Sequence, residues 1–254
     1  RPLSGRFMTL HRFFVSPECL TDATVTFTKD VSKQILNVLR LKPFADQVIV
    51  LDNSGLEHTV MLGEIQDGFL TGIIQSSNPG RDGSLTKLRL LFSLTKKDKM
   101  EWILQKGTEL GVREFQPYYS SRSLVRKDTS LLRKRERWEA IMREAAEQSD
   151  QARLPNLLPV LSLKSALEDA QQADLKLIAW EETGLEKVLD IGRVIPSHAA
   201  LLVGPEGGFP EEEVRLAEQF GFTQVNLGES ILRMETACIV GAALVLHETR
   251  KLNC

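Results

Sequence analysis

The most informative stretch for the fold is Leu201-Leu-Val-Gly-Pro-Glu-Gly-Gly-Phe-Pro210. A second stretch, Leu227-Gly-Glu-Ser-Ile-Leu-Arg-Met-Glu-Thr-Ala237, has the same order of strand, glycine-bearing loop and helix. Residues 199–203 form a continuous apolar run, which is typical of a strand covered on both faces. The glycines that follow allow the backbone to approach a ligand closely. Pro210 and the three glutamates after it are typical of the first turn of a helix. Two strand–loop–helix units in tandem therefore indicate a ligand site in an α/β domain.

The pattern from residue 85 onward predicts an α/β domain with a mainly parallel sheet, because strands alternate with helices there. The predicted strands are 87–94, 114–118, 175–180, 199–203 and 222–227. The predicted helices are 97–110, 130–149, 165–172 and 234–251. Ligands of open α/β sheets bind at the carboxyl ends of the strands. Three loops, 180–184, 204–208 and 227–232, are therefore expected to enclose one pocket.

The first 75 residues or so are predicted to be rich in short strands, which suggests a small β-barrel. The predicted strands are 13–15, 24–27, 47–51, 57–62 and 69–74, with a short helix over 31–39. Residues 76–84 are dense in turn-forming residues and are predicted to be a linker. We therefore expect a barrel domain over residues 8–76, beginning at Met8, and a second domain over residues 85–254.

Charge is unevenly distributed along the chain. The 254 residues carry 32 Lys and Arg against 34 Asp and Glu, but residues 81–143 carry sixteen basic side chains against eight acidic ones. Such a run is either a solvated face or a surface that follows RNA phosphates. Lys96, Lys97 and the run from Arg133 to Arg137 are the candidate phosphate contacts.

Cysteine and histidine usage points to neither disulfides nor a metal site. Cys19, Cys238 and Cys254 are far apart, and the four histidines lack the spacing of metal ligands. We expect no metal and a reducing, cytoplasmic environment. No apolar run reaches the roughly 18–20 residues that would span a bilayer, so no membrane association is expected.

Familiar nucleotide motifs are absent from the starts of the βα units: neither G-x-G-x-x-G nor G-x-x-x-x-G-K-[ST] occurs there. The first loop carries Glu206 where a phosphate-binding loop needs a cation. This loop suits a ligand with an apolar or aromatic body and a positive charge, a description that S-adenosylmethionine meets. The residues predicted to contact it are Ala179, Trp180, Glu181, Val203, Gly204, Pro205, Gly207, Leu227, Gly228, Ser230, Ile231, Leu232 and Thr236.

Four motifs together carry a family resemblance. They are Gly204-Pro-Glu-Gly-Gly-Phe209, the stretch from Leu227 to Ala237, Gln105-Lys-Gly-Thr-Glu-Leu-Gly-Val112 and Glu144-Ala-Ala-Glu-Gln-Ser149. In this order they resemble the RsmE family of SPOUT-class methyltransferases, which modify N3 of uracil in the 16S ribosomal RNA of the small subunit. The resemblance covers nearly the whole chain from about His11.

The resemblance implies a PUA-like barrel that binds RNA, followed by a SPOUT domain tied in a trefoil knot. It also implies S-adenosylmethionine as the methyl donor, 16S ribosomal RNA in an assembled or assembling small subunit as the partner, and a homodimer whose active sites draw on both subunits. The chain departs from the family in the barrel. It has Ser32-Lys33-Gln34 where histidines are frequent, and Pro43-Phe-Ala-Asp46 where a glycine-aspartate turn is common.

Three residues are the candidates for catalysis. Uracil N3 is a poor nucleophile while protonated, so an enzyme must help to remove the proton or stabilise the anion. Arg233 is the first candidate for stabilising the anion, and its alternative role is an ion pair with Glu206 or Glu235. Arg122 is a candidate for binding the substrate, with a solvated position as the alternative. Glu206 is a candidate proton acceptor, or it holds its loop through backbone N–H groups.

Other residues near the site also have two interpretations. Glu235 and Thr236 open the last helix, where capping competes with catalysis. Trp180 is predicted either to stack on the adenine or to pack in the core, whereas Trp102 and Trp138 are predicted to be core residues.

Two alternative functions remain at this stage. One is a SPOUT enzyme that methylates another RNA position, such as a ribose 2′-hydroxyl or a transfer RNA base. The other is a non-catalytic RNA-binding protein of ribosome assembly.

Overall fold

The chain divides into two compact units. The computed structural model describes residues 10–80, 86–123, 131–181 and 195–251, with the backbone alone for 131–133 and 251. One unit comprises Arg1–Asp82 together with Ala146–Arg153, and the other comprises Gly83–Ala145 together with Leu154–Cys254. Each unit has its own apolar core.

The first unit is built on a five-stranded mixed sheet. Its strands are β1 (Arg12–Phe14), β2 (Thr24–Thr26), β3 (Gln47–Leu51), β4 (Leu56–Gln66) and β5 (Phe69–Pro79), and its helix α1 (Lys29–Lys33) continues into a π-helical turn over Gln34–Val38. The strand order is β1-β3-β4-β5-β2, with β1 parallel to β3 and the other pairs antiparallel. Alternate residues such as Val48, Val50 and Val60 are buried in one cluster. The sheet is barrel-like, as the alternation predicted.

The predicted linker is wrong over its first residues. Ser76 to Pro79 belong to β5 and pair with Leu56 to Thr59 of β4. Gly80 N–H then donates to the carbonyl of Gly55 at 2.8 Å. Turn-forming residues are tolerated there because a long hairpin partner supplies the backbone hydrogen bonds, which local composition does not reveal. Residues 81–85 lie outside the described part of the chain.

The second unit has a seven-stranded sheet whose strands pair in parallel. In chain order its elements are β6 (Lys87–Ser93), α2 (Lys97–Leu110), β7 (Glu114–Tyr119), α3 (Leu131–Gln148, shared with the first unit), β8 (Asn156–Leu157), β9 (Leu161–Ser162), α4 (Leu163–Asp169), β10 (Leu175–Ala179), β11 (His198–Val203), α5 (Glu211–Gln219), β12 (Thr223–Val225) and α6 (Met234–Lys251). The order is β12-β10-β11-β6-β7-β8, and β9 also pairs with β7. The predicted parallel α/β architecture is confirmed.

Helices cover both faces of this sheet, which explains the continuous apolar runs. In β11, Leu201 and Val203 belong to the cluster with α2, α3 and α6, whereas Ala200 and Leu202 belong to the cluster with α4 and α5. A strand that is buried on both sides has no polar alternation. The threading of a trefoil knot stays a prediction of the resemblance.

One of the two tryptophans predicted to lie in the core does not. Trp138 is buried at 4% exposure, but Trp102 is 40% exposed. Both lie on amphipathic helices, and the buried face of α2 is formed by Met100, Ile103 and Leu104. Residue 102 points away from that face, so Trp102 is exposed although its side chain is large and aromatic.

No helix in the described part of the chain is long and apolar enough to cross a membrane. Within the same residues, no group of three or more His, Cys, Asp and Glu side chains is placed to hold a metal ion. Cys19 and Cys238 are free thiols, while Cys254 lies outside the described residues. The expectation that the chain holds no metal stays a prediction.

Candidate active site

The three loops predicted to form a pocket lie side by side. Strands β12, β10 and β11 are neighbours and run parallel, so their carboxyl ends meet at one edge of the sheet. In register, Ala179 pairs with both Val203 and Val225. The loops that begin at Trp180, Gly204 and Asn226 therefore converge, as the sequence predicted.

These loops enclose two adjoining cavities of about 400 and about 270 Å³. The larger is lined by Ala179, Trp180, Glu181, Asn226, Leu227, Gly228, Glu229, Ser230, Ile231, Leu232 and Ala237. The smaller is lined by Lys99, Ala179, Glu181, Val203, Gly204, Pro205, Glu206, Gly208, Ile231, Leu232, Arg233, Met234 and Ala237. We call the two together the cleft, since they share Ala179, Glu181, Ile231, Leu232 and Ala237.

Most residues predicted to contact the cofactor line the cleft. They are Ala179, Trp180, Glu181, Val203, Gly204, Pro205, Leu227, Gly228, Ser230, Ile231 and Leu232. Gly207 and Thr236 do not line it, and their neighbours Gly208 and Ala237 do. Of the predicted catalytic residues, Glu206 and Arg233 line the cleft, whereas Arg122 does not.

Two of the glycines are required by the shape of the loops. Gly208 has a φ of +70°, and a Cβ there would stand 2.5 Å from Glu181 Oε1. Gly228 has a φ of +136°, which L side chains rarely adopt. The backbone at both positions is therefore exposed to the cleft without an intervening side chain.

Lys99 is the site residue that sequence reasoning missed. Its Nζ lies 3.0 Å from Glu235 Oε2 and 3.5 Å from Glu206 Oε1, so it joins the loop after β11 to the start of α6. Glu206 Oε1 also accepts a hydrogen bond from Thr95 Oγ1 at 2.5 Å. A lysine in the first turn of a helix is unfavourable, because that end of the helix dipole is positive. The position of Lys99 was therefore the sequence feature that indicated an acidic partner.

The titration of this bridge follows from its geometry. Burial disfavours the charged form of Lys99, but the hydrogen bond with Glu235 and the charge of Glu206 outweigh it and raise the pKa of Lys99. Burial likewise opposes the charged form of Glu235, but a bond to its own backbone N–H and the contact with Lys99 lower its pKa. Both members of the pair are thus ionised at neutral pH.

Arg233 is not held by the carboxylates that the sequence offered as its alternative partners. Glu206 and Glu235 pair with Lys99, and the described residues show no salt bridge to Arg233. The carbonyl of Arg233 accepts the first hydrogen bond of α6, from Ala237 N–H at 2.8 Å. Its exposed side chain therefore stands at the positive end of the helix.

Arg122 contacts the loop after β11 from outside the cleft. Its guanidinium donates to the carbonyl of Gly207 at 3.1 Å. The turn that carries it is fixed by Glu213, which accepts from the N–H and hydroxyl of Ser121 at 2.8 Å each. Arg122 thus supports the loop that carries Glu206.

Two buried polar atoms at the wall of the cleft have no hydrogen-bond partner, namely Glu206 Oε2 and Trp180 Nε1. A buried polar atom without a partner is costly, so such atoms indicate a ligand with complementary groups. S-adenosylmethionine fits the residues present, because it offers both donors and acceptors and its cationic end suits a wall with Glu181 and Glu206.

The basic run is only partly available for RNA. Arg137 Nε lies 2.6 Å from Glu101, and Arg135 contacts both Glu139 and the carbonyl of Leu157. The side chain of Arg133 lies outside the described residues. Lys96 and Lys97 are exposed and stay candidates for phosphate contacts.

Comparisons with known proteins agree with this geometry. Residues 83–246 match the RNA methyltransferase domain family. The chain is 36% identical over 239 residues to the ribosomal RNA small subunit methyltransferase E of Bacillus subtilis, covering 91% of this chain and 92% of the relative. It is 32% identical over 248 residues to the protein of that name from Synechocystis, covering 95% and 79%.

A solved structure is similar over the same length. It is the ribosomal RNA small subunit methyltransferase E of Neisseria gonorrhoeae bound to S-adenosylmethionine. The identity is 31%, the TM-score is 0.81, and the alignment covers 94% of this chain and 98% of the other. Both units of the present chain therefore have counterparts in that protein.

Replacing Lys99 tests the bridge between the two loops. Lys99→Met leaves two carboxylates facing each other without a cation, so we expect a loss of about 1 kcal/mol in the free energy of unfolding at pH 7. The matched control is Lys97→Met, which removes an exposed lysine from the same turn of α2. Urea unfolding of the three proteins measures both effects.

The pH dependence of that difference follows from the lowered pKa of Glu235. A lowered pKa in the folded state contributes stability above the unfolded value of about 4.3, and this stability is lost as pH falls through the folded value. The gap between wild type and Lys99→Met should therefore be constant from about pH 6 to 9 and shrink below about pH 4.5. A gap that is unchanged in acid contradicts the assignment.

Proposed function

Because the chain belongs to the ribosomal RNA small subunit methyltransferase E family, we propose that it methylates N3 of a specific uridine in 16S ribosomal RNA, with S-adenosylmethionine as the methyl donor. The observation that carries the proposal is the cleft at the carboxyl ends of β10, β11 and β12. It has a carboxylate in one loop and, in the next, an arginine that forms no salt bridge with the described residues. The chain is an RNA methyltransferase by family, and the cleft fits that chemistry.

The cleft holds the cofactor through backbone and apolar contacts. Gly208 and Gly228 expose backbone groups that can read an adenine edge, while Leu227, Ile231 and Leu232 supply apolar surface. Glu206 Oε2 is the buried acceptor that remains for a donor of the ligand. When bound, S-adenosylmethionine supplies an electrophilic methyl group on a sulfonium, so catalysis depends mainly on alignment.

Arg233 supplies the electrostatic part of the reaction. Loss of the N3 proton leaves negative charge on the uracil oxygens, and a preorganised cation at that place stabilises it. Arg233 is suited to this role because it lines the cleft, makes no described salt bridge and lies at the N-terminus of α6. Arg122 supports the loop after β11, and its guanidinium stands where an RNA phosphate can add a second contact.

We further propose that the first unit is the RNA-binding domain and that the protein acts in the cytoplasm on the assembled or assembling small subunit. Two observations support an RNA-binding role for the first unit. Its sheet is barrel-like, and the unit has a counterpart in the similar Neisseria gonorrhoeae methyltransferase. Lys96, at the N-cap of α2, and Lys97, its first residue, are exposed and suit RNA phosphates.

A homodimer is the proposed assembly. One side of α6 is buried through Met234, Cys238, Ala242 and Val245. The other side is also apolar, because Ile239, Val240, Ala243 and Leu244 are only partly buried. A helix that is apolar all round is normally buried on all sides. A second copy of the chain packing on this face accounts for it.

Mapping of methylated nucleosides tests the function. In 16S ribosomal RNA from cells that lack the protein, mass spectrometry should show the loss of one 3-methyluridine that returns with the wild-type gene. Loss of a ribose methyl group or of a transfer RNA modification instead would favour another SPOUT activity. Unchanged methylation in every RNA would contradict an enzymatic role.

Substitution of Arg233 separates catalysis from binding. In Arg233→Ala we expect the Kd for S-adenosylmethionine to stay within about twofold and kcat to fall about 100-fold, since the charge acts on the transition state. Calorimetry measures the first quantity and methyl incorporation into RNA the second. Arg215→Ala, in an exposed ion pair on α5, is the control. Equal losses of binding and turnover would indicate a structural role.

Substitution on α6 tests the dimer. Leu244→Glu places a charge on the proposed contact face, and we expect sedimentation to give a monomer mass where the wild type gives a dimer. Gln219→Glu changes an exposed residue on α5 and should keep the dimer. The far-ultraviolet circular dichroism of both variants should match the wild type. A monomeric wild type would contradict the proposal.

A further inference from the structure

A strained backbone marks one turn of the first unit. In the described part of the chain, five non-glycine residues have a positive φ, and three of them are Asn53, Asp67 and Asp150. Asparagine and aspartate tolerate this conformation. The other two are Arg40 at +57° and Phe44 at +58°, which lie four residues apart. At an aromatic residue the conformation is an outlier that the surroundings must enforce.

Hydrogen bonds fix the turn that carries Phe44. Its own N–H donates to the carbonyl of Leu62 in β4 at 2.7 Å, and Leu62 N–H donates to Asp46 at 3.1 Å. The carboxylate of Asp46 accepts from the N–H of Lys42 at 2.7 Å. The turn is therefore fastened to the sheet on both sides of Phe44. These bonds hold the backbone while the ring stays 71% exposed.

Two exposed cations flank this ring, and the nearby carboxylate of Asp46 accepts a hydrogen bond from the N–H of Lys42. Leu41 packs against the core of the first unit, whereas Arg40 and Lys42 are exposed. No ion pair of either side chain occurs among the described residues. Lys42 is two residues from Phe44 and Arg40 is four residues away, so their Cα atoms lie at most about 7 and about 14 Å from that of Phe44. Both cations are therefore close enough to bind phosphates next to a base on the ring. The exposed Val38, in the preceding π-helical turn, adds apolar surface.

We propose that Phe44 is a platform on which an unpaired base of the RNA substrate stacks, while Arg40 and Lys42 bind the adjacent phosphates. Proteins bind single-stranded RNA by this combination of an aromatic face with flanking cations. The two unpaired cations favour RNA over an apolar protein surface or a second copy of the chain as the occupant. The proposal rests on the proposed function, since it assumes an RNA substrate.

The residue type at position 44 does not suit its backbone conformation. Glycine adopts a positive φ without strain, but here the conformation is carried by a phenylalanine. A large apolar side chain in a strained and exposed position has no stabilising role in the fold, so contact with a ligand explains its presence.

Two variants of Phe44 test the platform against a structural role. Phe44→Gly removes both the ring and the strain, so its unfolding midpoint should equal or exceed that of the wild type. Its affinity for a fluorescein-labelled 20-nucleotide single-stranded RNA should fall about tenfold, the loss of one base stack. Phe44→Trp should bind within about twofold of the wild type, because an indole also stacks. Ile73→Ala removes another exposed apolar side chain of this unit and should leave the RNA affinity unchanged.

Methylation kinetics extend the test to the natural substrate. With small ribosomal subunits from cells lacking the protein, Phe44→Gly should raise KM about tenfold and leave kcat and the Kd for S-adenosylmethionine unchanged. Wild-type RNA affinity in Phe44→Gly overturns the inference, as does an equal loss in Phe44→Trp or a change in the sedimentation mass of either variant. If the wild type itself methylates no RNA, the proposed function fails, and this outcome is distinct from the others.

Discussion

The parallel pairing of β12, β10 and β11 is the constraint on which the site depends. Because the three strands point the same way, their carboxyl ends bring the loops at Trp180, Gly204 and Asn226 to one edge. No single loop encloses a ligand, and the cleft exists only because all three meet. The cores on both faces of the sheet hold these strands in place, because alternate apolar side chains of β10 and β11 pack against helices on either side.

The part of the site that could be predicted is the part that local backbone chemistry dictates. Residues 199–203 have no polar face, so they had to form a strand that is buried on both sides. Gly204, Gly207 and Gly208 after it predict a loop, because glycine weakens strands and helices. The structure confirms the loop, in which Gly208 adopts a positive φ. The carboxyl-end rule then places the loops together without any knowledge of contacts. The bounds of α2 follow equally from its periodicity and from Gly111 at its end.

What could not be predicted depends on which elements become neighbours. The strand pairing of Ser76 to Pro79 requires β4 as a partner, and composition alone indicated a linker. The exposure of Trp102 follows from which face of α2 meets the sheet. Lys99 contacts Glu206 and Glu235, which are more than 100 residues away in the chain, so its role emerges only when three elements are packed together.

The ion pairs of Lys99, which the sequence did not predict, determine whether Arg233 has a carboxylate partner. Four charged side chains, Lys99, Glu206, Arg233 and Glu235, lie around the start of α6, and they can pair in more than one way. Because Lys99 contacts both glutamates, Arg233 forms no described salt bridge and acts on Glu235 only through its charge. It lies at a helix N-terminus whose amides add partial positive charge. An ion pair between Arg233 and Glu235 would have left Lys99 with Glu206 alone. Lys99 therefore decides which of the four charges pair, and it leaves the guanidinium of Arg233 at the cleft without a described salt bridge.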